Sequence, residues 1–212
     1  MRLRNVTNAR NALEQHPDLI ILDPSKHRGR WQELFDNDKP MYLEIGMGKG
    51  QFICGMAQKL PDINFLGLEK YDSVALRALQ KIIAAPCPNA MLIRGEAENL
   101  PNYFSPGEIG RIYLNFSDPW PRKCHIKRRL THSNFMDKYK NILITDGEIH
   151  LKTDNKQFFE FTLQHLNECG MKFDHISLDL HSQEPVDNVR TEYEDSKSAV
   201  GALIYRLVCR FG

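Results

Sequence analysis

From Pro40 onward, short apolar runs alternate with stretches of helical period, and this alternation restricts the fold more than any other property of the chain. Met41 to Ile45, Ile63 to Leu68, Ala90 to Ile93, Arg111 to Phe116 and Gly147 to Lys152 read as strands. Between the first two, Gln51 to Leu60 places Phe52, Met56 and Leu60 four apart, and Pro61 ends that helix. Asp72 or Ser73 caps a helix reaching about Ala84, with Leu76, Leu79, Ile82 and Ile83 on its apolar side. Thr131 to Leu143 and Asn155 to Cys169 read as two more helices, the second closed by Gly170. Strands joined by helices of this length form right-handed βαβ units. The expected class is therefore α/β, a doubly wound, mostly parallel Rossmann-like sheet covered on both faces. The tail departs from the pattern. Phe173 to Leu180 and Ala202 to Phe211 read as strands, but the polar segment between them has no apolar helix period, so the two should pair antiparallel at one edge.

The 212 residues suit one full-sized domain. We expect an N-terminal extension over residues 1–39, polar and irregular with room for one helix, and a single domain over 40–212. The 28 Lys and Arg against 27 Asp and Glu leave a net charge of +1, so any nucleic-acid site must be local. The five cysteines are scattered without a C-x-x-C pair and read as reduced thiols; the eight histidines are equally scattered, and no metal centre is expected. No apolar run approaches the roughly 18 residues of a membrane span, and the N-terminus has no secretory apolar region. The expectation is a cytoplasmic protein with no membrane partner.

The first strand runs into Glu44-Ile-Gly46-Met-Gly48-Lys-Gly50 and then a helix, at the strand end where open parallel sheets bind ligands. A dinucleotide fingerprint asks for G-x-G-x-x-G; here the spacing is G-x-G-x-G with an acid two places before the first glycine. Glu69 ends the second strand, where a carboxylate can accept from both ribose hydroxyls of an adenosine-containing ligand. Asn115-Phe-Ser-Asp118-Pro-Trp-Pro121 follows the fourth strand. Its prolines stiffen the loop and set one carboxylate and one aromatic face at the same edge, a pocket for a flat polar ring. The alternative is a plain turn with Trp120 as core anchor. Next comes Arg122-Lys-Cys-His-Ile-Lys-Arg-Arg129, five full positive charges in eight residues without an acid, which beside a base pocket suits phosphate contact. Lys26-His-Arg-Gly-Arg30 with Arg2, Arg4 and Arg10 extends the basic track. The long polar stretch from His181 to Ala199 carries Thr191-Glu-Tyr-Glu194 and reads as a loop.

Taken together, the glycine loop, Asn115 to Pro121, the basic run, Lys152-Thr-Asp154 and Thr191 to Glu194 resemble the bacterial tRNA (guanine-N7-)-methyltransferase family, from Pro40 to the C-terminus. The resemblance implies an S-adenosylmethionine-dependent methyltransferase sheet with an antiparallel C-terminal strand. The substrate it implies is a guanine at position 46, in the variable loop of tRNA. It further implies that Glu44, Gly46, Gly48, Glu69, Glu96 and Asp118 serve the cofactor, with Asp118 also catalytic. Arg122, Asp154, Thr191, Glu192, Tyr193 and Glu194 then serve the substrate, and Cys124, His125, Ile126, Lys127, Arg128 and Arg129 the RNA. The family more often has Asp where Glu96 stands and Lys where Arg122 stands; both replacements keep the charge. Monomer and homodimer both stay open.

Guanine N7 carries an in-plane lone pair at neutral pH, so transfer to it needs no general base and depends on positioning and charge stabilisation. The stacked target base would have to be extruded. Two rivals are a dehydrogenase, which would need the third glycine spacing, and a non-catalytic RNA-binding module, which has no use for Glu44, Glu69 and Asp118 along one sheet edge.

Overall fold

The computed structural model describes residues 7–212, so Arg2 and Arg4 of the expected basic track lie outside the described residues. Eight strands among them form one sheet: β1 (Ile20–Ile21), β2 (Met41–Ile45), β3 (Asn64–Glu69), β4 (Ala90–Arg94), β5 (Ile109–Asn115), β6 (Leu143–Thr153), β7 (Met171–Ser177) and β8 (Tyr205–Phe211). Their order is β1-β4-β3-β2-β5-β6-β8-β7. β1 to β6 pair in parallel, and β8 is antiparallel to both β6 and β7. The expected sheet with its antiparallel C-terminal strand is the one observed.

Strands buried on both faces carry apolar residues in both registers. Leu43, Ile45, Leu66 and Leu68 face one core together with α5 (Ser133–Ile142) and α6 (Lys156–Glu168). Phe65, Leu92 and Tyr113 face the other, under α1 (Ala9–Glu14), α2 (Gln51–Lys59) and α3 (Asp72–Ala84). A short α4 (Leu100–Tyr103) precedes β5. Gly170, at φ +72, ends α6 as expected.

Residues 7–39 are built into these cores. Leu13 and Ile20 belong to one and Trp31, wholly buried with its indole nitrogen donating to the Tyr103 carbonyl at 2.8 Å, to the other. β1 adds an edge strand to β4 that two residues of apolar sequence did not announce. The stretch from His181 to Ala199, expected as loop, contains α7 (Glu192–Ser198). Seven polar residues have no apolar face to give a period. What starts the helix is a capping box: Thr191 Oγ1 accepts from the Glu194 amide at 2.9 Å and Glu194 Oε2 accepts from the Thr191 amide at 3.4 Å.

The chain winds outward from β2 through β3 to β4 and then returns to place β5 on the other side of β2. Between β2 and β5 lies the topological switch point, where the loops after both strands diverge and leave a crevice.

Candidate active site

That crevice is a cavity of about 590 Å³ lined by Gly46, Gly48, Glu69 to Tyr71, Gly95 to Glu98 and the loop Asn115 to Asp118 with Trp120. Gly46 and Gly48 have φ of +79 and +59, and a Cβ on either would meet open space, so their backbone leaves room for a ligand to approach closely. Gly50, at φ +82, is needed for a second reason: a Cβ there would stand 2.9 Å from that of Ala78 on α3.

Of the acids expected at the edge, Glu69, Glu96 and Asp118 line this cavity, and Glu44 does not. Glu44 is buried; its Oε1 accepts from Asn115 Nδ2 at 2.9 Å across the β2 to β5 junction, and its Oε2 has no partner among the described residues. Burial pushes its carboxyl up to about 8. Glu69 Oε1 accepts from the amides of Lys70 (2.8 Å) and Tyr71 (3.0 Å), and Oε2 from Gly48 at 3.3 Å; burial raises its pKa despite these donors. Glu96 and Asp118 are exposed at the lining, and Asp118 has no hydrogen-bond or ion-pair partner among the described residues. Glu98 also lines the cavity, a residue sequence reading passed over although it follows Glu96 at a spacing of two after β4. Carboxylates outnumber the lining cations Lys70 and Arg128, which suits a cationic ligand more than a pyrophosphate.

The loop after β5 is strained as well as stiff. Phe116 (φ +53) and Trp120 (φ +41) both occupy the left-handed region, which aromatic residues seldom adopt and which costs on the order of 1–3 kcal/mol each unless surroundings hold it. Arg129 is one such holder: its Nε donates to the Pro119 carbonyl at 2.8 Å, its Nη2 to that of Trp120 at 3.2 Å, and its guanidinium lies 4.2 Å from the centre of the Phe161 ring. Arg129 therefore turns inward, against the expectation of RNA contact, because the carbonyls of Pro119 and Trp120 and the Phe161 ring engage its guanidinium. Ser117 Oγ is buried without a partner among the described residues.

The rest of the basic run forms a 3₁₀ helix, Lys123–Arg128. Arg122, Cys124, Lys127 and Arg128 are exposed, and His125 and Ile126 half-buried. His125 meets the Trp120 ring edge-on at 5.5 Å, and Arg128 lies 5.0 Å over it. A second, open cleft of about 800 Å³ adjoins through Glu98 and Arg128 and is lined by Arg28, Lys127 and Lys138. Of the other extension cations, Arg10 pairs with Glu14, Lys26 with Asp23 and Arg30 with Glu33.

The predicted substrate residues fall into two groups. Tyr193 is exposed, holds its ring 5.0 Å from that of Phe116 at a tilt of 52° and donates to Asp154 Oδ2 at 3.3 Å; Asp154 also pairs with Lys197 at 2.9 Å. Thr191 caps α7, Glu192 pairs with Lys81 of α3, and Glu194 is fully buried against Lys152. All three shape the helix, and Glu194, with no exposed surface, cannot reach a base, whereas Thr191 and Glu192 are half-buried. His181, Glu184 and Glu194 hold ligand-type atoms within 4.8 Å of one another, but Arg190 and Lys152 already neutralise the two carboxylates, which makes the group an ion-pair network. No helix among the described residues is long and apolar enough to cross a membrane.

Comparison with known proteins agrees with this geometry. A family model described as "Putative methyltransferase" matches residues 38–207. A tRNA (guanine-N(7)-)-methyltransferase from Geobacillus thermodenitrificans is 52% identical over 97% of this chain and 95% of its own. One from Streptococcus sanguinis is 47% identical over all of both chains. Among solved structures, a 16S rRNA methyltransferase superposes with a TM-score of 0.64 at 15% identity, covering 85% of this chain and 91% of that one. A SAM-dependent methyltransferase from Aquifex aeolicus gives 0.58 at 11%, covering 96% of each. At those identities the likeness is one of fold.

Proposed function

The chain belongs to the tRNA (guanine-N7-)-methyltransferase family, and from that premise we propose how its cavity divides the work between cofactor and base. The enzyme transfers a methyl group from S-adenosylmethionine to N7 of a guanine in tRNA; the guanine is the one at position 46 of the variable loop. When bound, the cofactor supplies a methyl group activated by its sulfonium charge. The residues fit it: an acid-rich lining suits a ligand bearing sulfonium and ammonium charges, and Glu44 Oε2, buried without a partner among the described residues, would find one in the cofactor's amino group. Glu69 holds the ribose hydroxyls, Glu96 the adenosine side, and Gly46 and Gly48 let the backbone approach.

The observation that carries the reading is Asp118, an unpaired carboxylate at the rim of this cavity, on a loop held in a strained conformation at both ends. Asp118 accepts from the N1 and N2 edge of guanine, which turns N7 toward the cofactor, and its charge offsets the cation formed on methylation. No residue need remove a proton to expose the N7 lone pair. Arg122, Asp154 and Tyr193 stand at the substrate side, and Cys124, Lys127 and Arg128, with His125 and Ile126 behind them, present the RNA surface. Methyl transfer from labelled cofactor to unmodified tRNA tests this, with a guanine 46 to adenine tRNA as comparison. Transfer to the first and none to the second is expected; equal transfer to both would overturn the site assignment, and none to either the function.

A further inference from the structure

Lys152 and Glu194 form a buried ion pair that none of these roles uses. Lys152 Nζ donates to Glu194 Oε2 at 2.6 Å, to the Val189 carbonyl at 2.8 Å and to Asn188 Oδ1 at 3.2 Å, so all three of its protons are taken. Glu194 Oε1 lies 3.0 Å from His181 Nε2 and accepts from Asn188 Nδ2 at 3.3 Å. An exposed pair contributes little to stability. A buried one is different: whichever partner loses the other is left as an uncompensated interior charge. The seat of α7 on β6 is thereby restricted to one arrangement.

Two consequences of that seat reach the reaction site. Lys152 acts electrostatically on Glu44, two strands away, where it opposes the effect of burial on the carboxyl. On the outer side, the neighbour of Glu194 is Tyr193, whose ring lies 5.0 Å from that of Phe116, itself at φ +53 two residues before Asp118. We propose that Lys152 is a positioning residue for methyl transfer: its pair with Glu194 seats α7 so that Tyr193 braces Phe116 and fixes the direction of the Asp118 carboxylate. The proposal rests on the role given to Asp118 above.

Lys152→Met alone strands a buried carboxylate, so the informative variant is the double Lys152→Met/Glu194→Gln, which removes both charges while Gln keeps the acceptor of the capping box. Tyr193→Leu is its partner, a surface change that removes the brace and leaves the ion pair intact. Hydrogen exchange is read over residues 115–121 and 191–198 without substrate, and single-turnover transfer at saturating cofactor and tRNA. In both variants exchange over 115–121 should quicken and transfer slow on the order of tenfold, and in the double variant, titrated with tRNA, the half-saturating tRNA concentration should change less than about threefold. Faster exchange over 191–198 alone, with 115–121 unaltered, would make the pair merely structural and overturn the proposal. So would a wild-type transfer rate in either folded variant. Should the double variant not fold, Tyr193→Leu decides by the same two readouts. Should the unmodified protein transfer no methyl to tRNA, the role of Asp118 fails, and exchange over 115–121 still decides whether α7 braces that loop.

Discussion

The wall of the cavity made by β2, β3 and β4 and the wall made by the loop after β5, which α7 backs through Tyr193 against Phe116, face each other across the switch point, yet they are held by different forces. The first is main-chain architecture: glycines at positive φ, and a Glu69 carboxylate fastened to three backbone amides. Its contacts are local or between adjacent parallel strands. The second is held by side chains from distant parts of the sequence, such as Lys81 to Glu192, Lys152 to Glu194, Gln51 to Asp195 and Arg129 to the carbonyls of Pro119 and Trp120. A wall made of backbone tolerates change in its neighbours; one made of ion pairs and strained turns transmits it. In the division proposed above, the cofactor, constant in structure, would meet the first wall, and the larger and more variable RNA the second.

The most severe test of this contrast is Asp118→Asn. Asn keeps the size and turn-forming tendency of Asp, so the loop should survive while the charge beside the nascent cation goes. Single-turnover transfer should fall on the order of a hundredfold, about 2.7 kcal/mol at 1.36 kcal/mol per decade, with cofactor affinity little changed. Wild-type rates in the folded variant would reduce Asp118 to a turn residue.

A smaller effect is expected on the opposite wall. Glu69→Ala removes charge-assisted hydrogen bonds worth about 1.5–3 kcal/mol, and calorimetry should find S-adenosylmethionine bound roughly tenfold more weakly. Unchanged affinity would mean that Glu69 serves only its own backbone amides.

The pH dependence of stability sharpens the comparison further. The Glu44 carboxyl is raised from 4.5 to about 8 on folding, so its proton is held more tightly in the folded state. Its contribution is fully present below about pH 4.5 and is lost as pH rises through about 8, at a rate of up to about 1.4 kcal/mol per pH unit. Glu44→Gln abolishes that loss. The midpoint of thermal unfolding of the variant, relative to the parent, should therefore climb between pH 5 and pH 8.5, and a constant difference would contradict the buried, unpartnered state of Oε2.

The least change is expected from the basic run, and there it divides neighbours. Lys127→Ala should reduce the slope of log affinity for tRNA against log salt by roughly 0.7–0.9, the value of one phosphate contact. Arg129→Ala should leave that slope alone and slow transfer through a loosened loop. Equal slopes lost at both positions would return Arg129 to the RNA surface.

How far each wall could be read in advance follows from the same difference. Alternating apolar runs and the glycine spacing are short-range signals, and they located β2 to β6, the helices α2, α3 and α5 and the acids Glu44 and Glu69 near the strand ends, though not the short α4. Asn115 to Pro121 announced its stiffness through its prolines, but not that Phe116 and Trp120 would sit at positive φ, since nothing in an aromatic residue favours that conformation. β1 escaped because two isoleucines make no period, and α7 because its residues are polar throughout. For α7 a signal did exist: Thr191-x-x-Glu194 is the pattern of a capping box. The burial of Glu194 and the inward turn of Arg129 depend on partners 42 and 10 positions away in sequence, and charge alone reads as solvent-facing until those partners are in place.

The position of β8 bears on the order in which this sheet is completed. β7 is synthesised before β8, yet β8 lies between β6 and β7, closing the free edge of β6 and pairing with β7. While a ribosome is still translating residues 178–204, β7 has no strand to join, and β6 exposes one open edge. The last seven-residue strand must then enter a gap from the side, forming antiparallel ladders with two strands at once. Assembly of this half of the molecule is thus a single event that waits on the synthesis of β8, and until it occurs the nascent chain presents an unpaired edge of the kind that invites association with other chains.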